Sequence, residues 1–467
     1  MKAWKYTHEL TQEAIPVLLS EEEQTWTSAD ESEKSIDFLL KLKWSSNVPG
    51  SFAPESVIIG AIQSMESMGY DVSEVEKLIK PGLNALKEKD FGELQVITSK
   101  IYHLLFTCNK IEGHSYFKYK IYNSYEEYVK KVNLPQKVEI DFDTKDFKEK
   151  MEAGWYSRII GGALGTEIEG YTTKKLKEKF GEIKYYLRPP NTYNDDITYE
   201  IAFLDACSRS KSIPSSIEIA NSWIRLIPTG WSAEQVALDN ISRGIFPPES
   251  GYYLNPYREW IGAQMRGAIC GQVAPGNPKL AAYLAFIDGQ VSHHNNGIFG
   301  EIFNAVMVSL SFTHTDIKEI LKIAIASIPS DSEYYSVVEF AFNSCFTNDF
   351  INAWKLCEEK YKQYNWIHAY PNAAAEVVAL YFGNGDFNET LYKIAICGQD
   401  VDCNAAQIAV IIGTIKGIKN IDERWLTPFK SGELKTYLRE KKLLNITDLI
   451  NQTVLEAKKL NSLNHEG

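Results

Sequence analysis

The chain has 467 residues, with 49 Lys and Arg against 61 Asp and Glu, and its formal net charge is -12. This length exceeds the usual limit for a single core, so we expect one large domain of about 300 residues and a smaller one. The hydrophobic fraction of 44% and the aromatic fraction of 12% supply a core and argue against disorder. The negative charge argues against broad binding to the phosphate backbone of nucleic acids, although it leaves room for a local basic pocket.

The cysteines and the first residues indicate the compartment. Seven cysteines are scattered without a Cys-x-x-Cys pair, which favours reduced thiols in a cytosolic protein. Residues 1–19, MKAWKYTHELTQEAIPVLL, place charged and polar residues where a secretory signal needs an apolar stretch. No later run reaches membrane-spanning length. We therefore expect a soluble protein of cytoplasmic localisation with no membrane partner.

Residues 1–123 are predicted to be mainly helical, and they carry no motif of known chemistry. Residues 56–69, SVIIGAIQSMESMG, and 93–108, ELQVITSKIYHLLFTC, have apolar residues at three- and four-residue spacing. Pro and Gly breaks separate these patterns. The strongly charged segment 124–151 follows and is interpreted as a connector, in which the alternating stretch 138–143 fits a short strand.

From residue 152 onward, apolar helical patterns alternate with loops rich in Gly, Pro and Asn. Strand patterns are nearly absent, so the sequence predicts an all-α fold, a compact multi-helix domain preceded by a smaller, mainly helical one. Residues 446–460, ITDLINQTVLEAKKL, predict a final amphipathic helix opened by Thr447 or Asp448. The predicted divisions are an N-terminal region at 1–123, a connector at 124–151, a large helical domain at 152–455 and a polar tail at 456–467.

Three acidic clusters border apolar helices instead of lying on a charged face. They are Glu167 and Glu169, which close a small-residue helix predicted to begin near Trp155, Asp195 and Asp196, which open a helix, and Asp400 and Asp402, which precede the apolar run at 405–413. An Asp at a helix start is usually a cap, because it accepts hydrogen bonds from unpaired backbone N–H groups and suits the helix dipole. A solvated helix end is the simplest interpretation of either glutamate alone.

Convergence of the three clusters would indicate a different function. Carboxylate oxygens with few thiolates or imidazoles nearby make a hard site that suits Mg²⁺ or Mn²⁺ and suits zinc poorly. Four carboxylates in one place would raise one another's pKa values unless a cation neutralised them. Two metals held by shared aspartates would orient hydroxyl groups and polarise a water. Spacing alone leaves the choice between caps and a metal site open.

Four segments, in order, resemble the successive motifs of the ADP-ribosylglycohydrolase family. They are GGALGTEIEG at 161–170, YNDDITYEIAFLDA at 193–206, APGNPKLAAYLAFIDGQVSHHNNGIFGEIFNAVMVSLSF at 274–312 and GQDVDCNAAQIAVIIGTIKG at 398–417. The resemblance runs over about 152–455, and four motifs in the right order are specific where one alone is weak. It implies a compact all-α enzyme with two Mg²⁺ or Mn²⁺ ions. Such an enzyme hydrolyses the N- or O-glycosidic bond that joins ADP-ribose to a protein side chain or another acceptor.

The resemblance also assigns roles to residues of this chain. The implied metal ligands are Asn194, Asp195, Asp196, Asp400 and Asp402. Asp400 and Asp402 also count as catalytic, together with Glu169, which matches the active-site glutamate of the family. A metal-oriented water would attack the anomeric carbon as the glycosidic bond loosens, and Glu169 would handle protons.

The same matches predict a substrate pocket. Its implied residues are Glu169, His293, Asn296, Gly297, His368, Asn372 and Cys403. His293, Asn296 and Gly297 would contact ribose or phosphate, with capping of a turn as the alternative for His293. His368 and Asn372 would frame the adenine or the distal ribose, whereas buried packing is the favoured role of the neighbouring Trp366 and Tyr370.

Three positions depart from the family pattern. Gly162 stands where the first motif often has Asp, and Asn194 stands where Thr usually precedes the paired aspartates. Cys403 stands where Thr usually follows the last aspartate. Asn194 can still offer a carbonyl oxygen, but a thiol is a poor partner for Mg²⁺. The centre would therefore bind one metal more weakly, prefer Mn²⁺ or take a different substrate.

Two other functions stay open beside hydrolysis of an ADP-ribosylated protein or a small ADP-ribosyl conjugate. The replacements Asn194 and Cys403 fit a non-catalytic protein that binds ADP-ribose or another nucleotide. A glycosidase for a different ribosyl substrate is the third possibility. The sequence has no Gly-rich phosphate-binding loop with the required Lys, which argues against nucleoside triphosphate chemistry.

Overall fold

The computed structural model describes residues 1–24 and 27–463, and helices form most of it. In the first 130 residues the helices are α1 Ala3–Glu13, α2 Thr27–Trp44, α3 Val57–Ser67, α4 Ser73–Glu76, α5 Ile79–Glu88, α6 Phe91–Thr107 and α7 Tyr125–Val129. Next come α8 Lys145–Gly165, α9 Thr173–Phe180, α10 Asp195–Arg209, α11 Ser216–Leu226, α12 Ser232–Ser242, α13 Glu249–Tyr252, α14 Gly267–Gln272, α15 Pro278–Gly289 and α16 Asn296–Ser311. The chain continues with α17 Ile317–Ala326, α18 Glu333–Thr347, α19 Phe350–Tyr361, α20 Ala369–Gly383, α21 Phe387–Cys397, α22 Val401–Lys416, α23 Glu423–Leu426 and α24 Ile446–Ser462.

The strands of the described residues are short and form antiparallel pairs. The pairs are β1 Ser46–Asn47 with β2 Pro54–Glu55, β3 Tyr171–Thr172 with β4 Gly398–Gln399, and β5 Glu433–Lys435 with β6 Leu443–Asn445. Each pair has two or three residues per strand, so the pairs connect helical segments without forming a sheet layer. The predicted all-α fold, with a helical N-terminal region, is confirmed.

The packing of α22 along α8 forms the centre of the larger helical group. Two glycines of α8 face the backbone of α22 directly. A Cβ atom at Gly161 would lie 2.3 Å from the carbonyl oxygen of Ala405, and one at Gly165 would lie 2.1 Å from the amide nitrogen of Asp402. Only glycine allows two backbones to come so close. This contact fixes the start of α22 against the end of α8.

Two further buried helices pack against α22. α16 is buried along its whole length and packs on α14, α15 and α22. α20 packs on α18, α19, α21 and α22. Helices that are apolar on every side belong in the interior of a large domain. Among the described helices, none is long and apolar enough to cross a membrane.

The N-terminal region packs on the larger group through buried hydrogen bonds. The Ser64 hydroxyl in α3 donates to the carbonyl oxygen of Pro256 at 2.7 Å, and the Tyr257 hydroxyl donates to the carbonyl oxygen of Val57 at 2.9 Å. A buried polar group without a partner costs free energy, so these bonds favour one docked arrangement. By contrast, α1 contributes no buried residue. The division of the chain at 123 and 151 stays a prediction.

Two predicted elements in and after the connector are wrong. Residues 138–143 form no strand, because Val138 donates a single backbone hydrogen bond, to Gly276 at 2.8 Å, and no ladder follows it. α8 begins at Lys145 and not near Trp155. The Thr144 side chain accepts a hydrogen bond from a backbone N–H of the first turn and caps the helix there.

The final helix is present, but its predicted first residue is wrong. α24 begins at Ile446, and the Asn445 side chain caps it by accepting from the backbone N–H groups of Thr447 and Asp448. The two residues predicted as caps therefore lie in the first turn. The helix extends to Ser462, past residue 456, where the polar tail is predicted to begin. It buries residues on both sides of that position.

We expect Gly165→Ala to lower the free energy of unfolding by about 1–3 kcal/mol or more, because the new Cβ would meet the rigid backbone of Asp402. Gly92→Ala is a matched control in the first turn of α6, where the nearest atom to a Cβ is the Asp90 Oδ1, 3.6 Å away. This control should be neutral or stabilising by about 0.4–1 kcal/mol. Urea unfolding of both variants measures the difference, and an equal effect would contradict the close packing of α8 and α22.

Candidate active site

The pairing of two short strands, β3 and β4, brings Glu169 next to Asp400. β3 begins two residues after Glu169, and β4 ends one residue before Asp400. Their pairing is reinforced by the Gly170 N–H, which donates to the carbonyl oxygen of Gln399 at 2.8 Å. Gly398, with φ of +72°, allows the two strands to approach closely, because a Cβ there would lie 2.1 Å from the Tyr171 carbonyl oxygen. Glu169 and Asp400 therefore come from distant parts of the sequence to one place.

The start of α10 supplies Asp195 and Asp196. Asn194 is the cap of this helix, and its Oδ1 accepts a hydrogen bond from the Ile197 N–H at 3.3 Å. Its Nδ2 donates to Asp402 Oδ2 at 3.3 Å. Asp195 and Asp196 thus occupy the first turn without acting as the cap. Asp196 is fully buried, whereas Asp195 is exposed.

The start of α22 supplies Asp400 and Asp402. Asp400 is the residue before the first turn, yet its side chain makes no capping hydrogen bond. Its backbone N–H donates to the Asn372 Oδ1 at 3.0 Å, and the Asn404 Nδ2 donates to the same oxygen at 2.7 Å. The Asp400 carboxylate is therefore left free to face the neighbouring acids. The Cys403 thiol donates to Asp196 Oδ1 at 3.2 Å.

Two sets of possible ligand atoms meet at Asp402. Among the residues that the structure describes, Glu169, Asp400 and Asp402 form one set, and Asp196, Asp402 and Cys403 form the other. Within each set the ligand atoms lie within 4.8 Å of one another, and all these side chains are buried. Asp402 belongs to both sets, so the arrangement can hold two cations that share one carboxylate. Asp195 belongs to neither set.

Several carboxylate oxygens in these sets have no protein partner. Asp196 Oδ2, Asp400 Oδ1 and Asp402 Oδ1 are buried and accept no hydrogen bond from the described protein. An ionised oxygen without hydrogen bonds is costly to bury. A hard divalent cation such as Mg²⁺ or Mn²⁺ would satisfy these oxygens, and the donor set, which is mostly carboxylate, fits such an ion better than zinc.

The electrostatics of the cluster favour protons or cations. Loss of water on burial, followed by the nearby charge of Asp402, raises the pKa values of Glu169, Asp196 and Asp400 well above their usual range. Asp195 is exposed at its edge but is densely surrounded by protein atoms, and the same two causes raise its pKa to about 6. Without bound cations, these acids therefore hold their protons to higher pH than ordinary carboxyl groups do.

One buried guanidinium lies behind the cluster. Arg158 of α8 is fully buried and pairs with Glu200, with 2.6 Å between Nη1 and Oε2. Its Nη2 also donates to Gln272 Oε1. The charge of Asp196 acts on Arg158 as well, although Glu200 acts on it more strongly. Glu200 is therefore the nearest carboxyl group to Arg158, and Arg158 balances the acidic cluster only in part.

The structure gives His293, Asn296 and Gly297 partners outside the two carboxylate sets. His293 Nδ1 lies 2.7 Å from the Ser292 Oγ, and burial lowers the pKa of this histidine well below its usual value. Asn296 Nδ2 donates to Glu259 Oε1 at 3.1 Å. A Cβ at Gly297 would lie 2.3 Å from the carbonyl oxygen of Arg258. Contact of these three residues with substrate stays a prediction.

His368 and Asn372 lie beside the cluster in supporting positions. His368 is buried and caps α20 by accepting from the Tyr370 N–H at 3.2 Å, and burial lowers its pKa to about 3. Asn372 is also buried and donates to the carbonyl oxygens of Trp366 and His368 while it accepts from the Asp400 N–H. Asn372 therefore orients the backbone at Asp400, a contact that the sequence did not predict.

The sequence also missed a wall of the site formed by the N-terminal hairpin, which we define as residues 46–55. Gly50, with φ of +106°, touches the turn before Glu169, since a Cβ there would lie 2.5 Å from the Thr166 Cγ2. The Tyr171 hydroxyl donates to the carbonyl oxygen of Ser51 at 3.0 Å. No local sequence pattern predicts these contacts. The turn residues in SNVPGSFAPE, residues 46–55, predict only the hairpin itself.

Glu55, at the end of this hairpin, is an additional acid near the cluster. It accepts a hydrogen bond from the Trp231 Nε1 at 2.7 Å. Burial raises its pKa to about 7 against the effect of that hydrogen bond, and the charge of Asp195 contributes to the rise. The N-terminal region therefore contributes an ionisable group to the surroundings of Asp195.

Comparisons with known proteins agree with the motifs. The model of the ADP-ribosylglycohydrolase family matches residues 143–458, and the chain belongs to that family. An uncharacterized protein of Archaeoglobus fulgidus is 25% identical over 300 residues, which are 60% of this chain and 92% of that protein. A solved structure described as an ADP-ribosylglycohydrolase-related protein complex matches 68% of this chain and 99% of its own, at 17% identity and a TM-score of 0.47. Membership confirms the resemblance and supports a glycohydrolase.

We expect the stabilisation by Mg²⁺ to grow as pH rises. An acid whose pKa is higher in the folded protein than in the unfolded chain binds more protons when folded, so without metal the free energy of unfolding falls from about pH 4 upward. This window extends through pH 6, the approximate pKa of Asp195, and the raised pKa values of Glu169, Asp196 and Asp400 act in the same direction. Mg²⁺ would replace the protons and cancel the loss.

Thermal unfolding with EDTA or with Mg²⁺ measures this effect at about pH 5 and about pH 7.5, at matched ionic strength because salt screens charges. The rise in Tm caused by Mg²⁺ should be larger at the higher pH. An equal rise at both pH values would show that Mg²⁺ acts elsewhere on the protein.

Proposed function

We propose that this member of the ADP-ribosylglycohydrolase family is a metal-dependent glycohydrolase. Its substrate would be an ADP-ribosylated protein or a small ADP-ribosyl conjugate, and it would cleave the N- or O-glycosidic bond between ADP-ribose and the acceptor. The observation that carries the proposal is the pair of buried ligand sets that share Asp402. Family membership supports the reaction class.

The metal would be Mg²⁺ or Mn²⁺, with two ions. Glu169, Asp400 and Asp402 would hold one ion, and Asp196, Asp402 and Cys403 would surround the other, with Asp195 and Asn194 at the edge. When bound, such ions supply positive charge that orients the ribose hydroxyls and polarises a water molecule. The buried oxygens without protein partners support this assignment.

The residues of the chain would carry out the proton transfer and hold the acids in position. A water oxygen attacks the anomeric carbon, the bond to the acceptor breaks, and the acceptor leaves with the bonding electrons and one proton. Glu169 would take the proton of the attacking water at its carboxylate and release it to the acceptor. Its raised pKa supports a role in proton transfer. Asn372 would keep Asp400 in place through the backbone N–H.

Cys403 favours one alternative. Its thiol is part of the second ligand set and donates to Asp196 Oδ1, where a hard oxygen ligand would serve Mg²⁺ better. A non-catalytic protein that binds ADP-ribose or another nucleotide would tolerate a weakened second metal. A glycosidase acting on a different ribosyl substrate would keep both ligand sets and differ in the pocket around them.

Release of ADP-ribose from modified proteins and small conjugates tests the proposal. We expect release with Mg²⁺ or Mn²⁺ present, and loss of it with EDTA or in Asp400→Asn. Glu169→Gln should lower kcat by roughly 100- to 10,000-fold, the range for loss of a proton-transfer group. Glu167→Gln is the matched control, because Glu167 lies two residues away and instead pairs with Arg188 at 2.6 Å. This control should retain activity.

The three candidate functions predict different results. Tight calorimetric binding of ADP-ribose without turnover, unaffected by EDTA or Asp400→Asn, would favour the non-catalytic binding protein. Turnover of nucleosides or sugar conjugates but of no ADP-ribosyl compound would favour the different glycosidase. Turnover that survives in Glu169→Gln as well as in Glu167→Gln would refute the role of Glu169.

We expect Cys403→Ser to tighten the binding of Mg²⁺ relative to Mn²⁺. A hydroxyl oxygen is a harder ligand than a thiol and occupies nearly the same place. Calorimetric titration of each metal into the metal-free protein measures the ratio of the two Kd values. Cys345→Ser is a control for the general effect of the substitution, because Cys345 is buried and donates to the Ala341 carbonyl oxygen far from either ligand set in the sequence. An equal ratio in both variants would exclude Cys403 as a neighbour of the metal.

A further inference from the structure

A second cleft lies between the N-terminal region and the larger helical group. Its volume is about 540 Å³, within the range of about 300–1,000 Å³ for small-molecule sites. Met65 of α3 and Leu105 of α6 line it on one side, and Arg258 and His294 line it on the other. None of the acids in the two ligand sets lines this cleft, so it is a separate site.

The cleft is basic although the chain is acidic. Its charged lining residues are Lys110 and Arg258, and no Asp or Glu of the described chain lines it. The whole chain carries a formal charge of -12, so a carboxylate-free lining is not what its composition favours. Neither Lys110 nor Arg258 forms an ion pair within 4.0 Å of a described carboxylate. Both cations are therefore available to an anionic ligand.

The polar groups of the cleft are held in place. Arg258 Nη1 donates to the carbonyl oxygen of Asn255 at 3.0 Å. His294 Nε2 lies 3.3 Å from Asn123 Oδ1, and burial lowers the pKa of this histidine to about 4, so the neutral ring can donate from that nitrogen. The acid behind the cleft, Glu259, has its own donors in Tyr116, Asn295 and Asn296. Glu259 forms no ion pair with Arg258 within 4.0 Å, although the charge of Arg258 lowers the pKa of Glu259 against the effect of burial.

Aromatic rings surround the cations. Lys110 Nζ lies 5.0 Å from the ring centroid of Phe117, and Tyr70 packs edge-on against that ring with 6.2 Å between centroids. Across the cleft, the ring of Tyr252 lies 5.2 Å from that of His294. Partly exposed rings next to cations suit a flat, apolar ligand that also carries negative charge.

We propose that this cleft binds an organic anion that joins a phosphate or carboxylate group to a planar aromatic ring. The anion would lie between Lys110 and Arg258, and the ring would pack against Tyr252 and Phe117. The proposal does not depend on the activity proposed for the acidic cluster, because it rests on different residues of opposite charge.

Calorimetry on the full chain tests the proposal with three small probes. Phenyl phosphate has both the ring and the charge, inorganic phosphate has only the charge, and phenol has only the ring. We expect phenyl phosphate to bind at least about tenfold more tightly than either of the others. Lys110→Met should weaken it by about tenfold or more, the usual worth of a hydrogen bond to a charged group. Tyr252→Ala should remove most of the preference for the ring.

Two control variants make the result specific. Lys174→Met removes an exposed lysine that pairs with Glu178 outside the cleft, so it should leave the affinity unchanged. Asp400→Asn should leave it unchanged as well, whatever it does to ADP-ribose release. Phenyl phosphate binding that Asp400→Asn weakens and Lys110→Met does not would place the probe at the acidic cluster and overturn the proposal.

A thiol within the cleft offers a second measurement. Cys108 lines the cleft and is half-buried, whereas the other six cysteines are buried. A maleimide reagent should therefore label Cys108 first, and phenyl phosphate should slow that labelling while inorganic phosphate and phenol do not. Equal labelling rates with all three probes, or no preference for phenyl phosphate in calorimetry, would each overturn the proposal.

Discussion

The burial of like charges around Asp402 is the constraint on which the rest of the structure depends. Glu169, Asp196 and Asp400 are buried against this one carboxylate, and each has its pKa raised by lost water and by the charge of Asp402. Burying several ionised carboxylates together is unfavourable unless protons or cations neutralise them. The fold must therefore hold these groups against their mutual repulsion, and the rigid contact of α8 with α22 at Gly165 does so.

Helix starts supply part of the compensation. Asp195 and Asp196 lie in the first turn of α10, and Asp402 lies in the first turn of α22, where the helix dipole favours negative charge. This contribution is modest, about 0.3–1 kcal/mol for each charge at an exposed terminus. Arg158, which pairs with Glu200, adds only part of the balance. The remaining imbalance is the physical reason to expect divalent cations at this site.

The sequence was sufficient for the fold class, and its motifs contain the acids that the structure brings together at Asp402. Helical periodicity is local, and the motifs that carry Glu169, Asp196, Asp400 and Asp402 are contiguous, so neither requires knowledge of packing. The pairing of β3 with β4 could not be predicted, because two-residue strands separated by more than 200 residues leave no periodic signal. The wall that Glu55 provides was missed for the same reason. The start of α8 was missed because its first turns are charged and resemble a connector.

The N-terminal region packs beside the acidic cluster. Its hairpin touches the turn before Glu169, and its Glu55 approaches Asp195, so the surroundings of the acidic cluster depend on residues that precede the family match at 143–458. Docking of this region also creates the basic cleft. Both features depend on residues that precede the family match at 143–458.

Anomalous X-ray diffraction from crystals grown with Mn²⁺ would test the site most directly. We expect two Mn²⁺ peaks, each within bonding distance of an Asp402 oxygen, one on the side of Glu169 and Asp400 and the other on the side of Asp196 and Cys403. Saturating Mn²⁺ without a peak at Asp402, or with peaks only at surface carboxylates, would contradict a metal centre built on this shared aspartate.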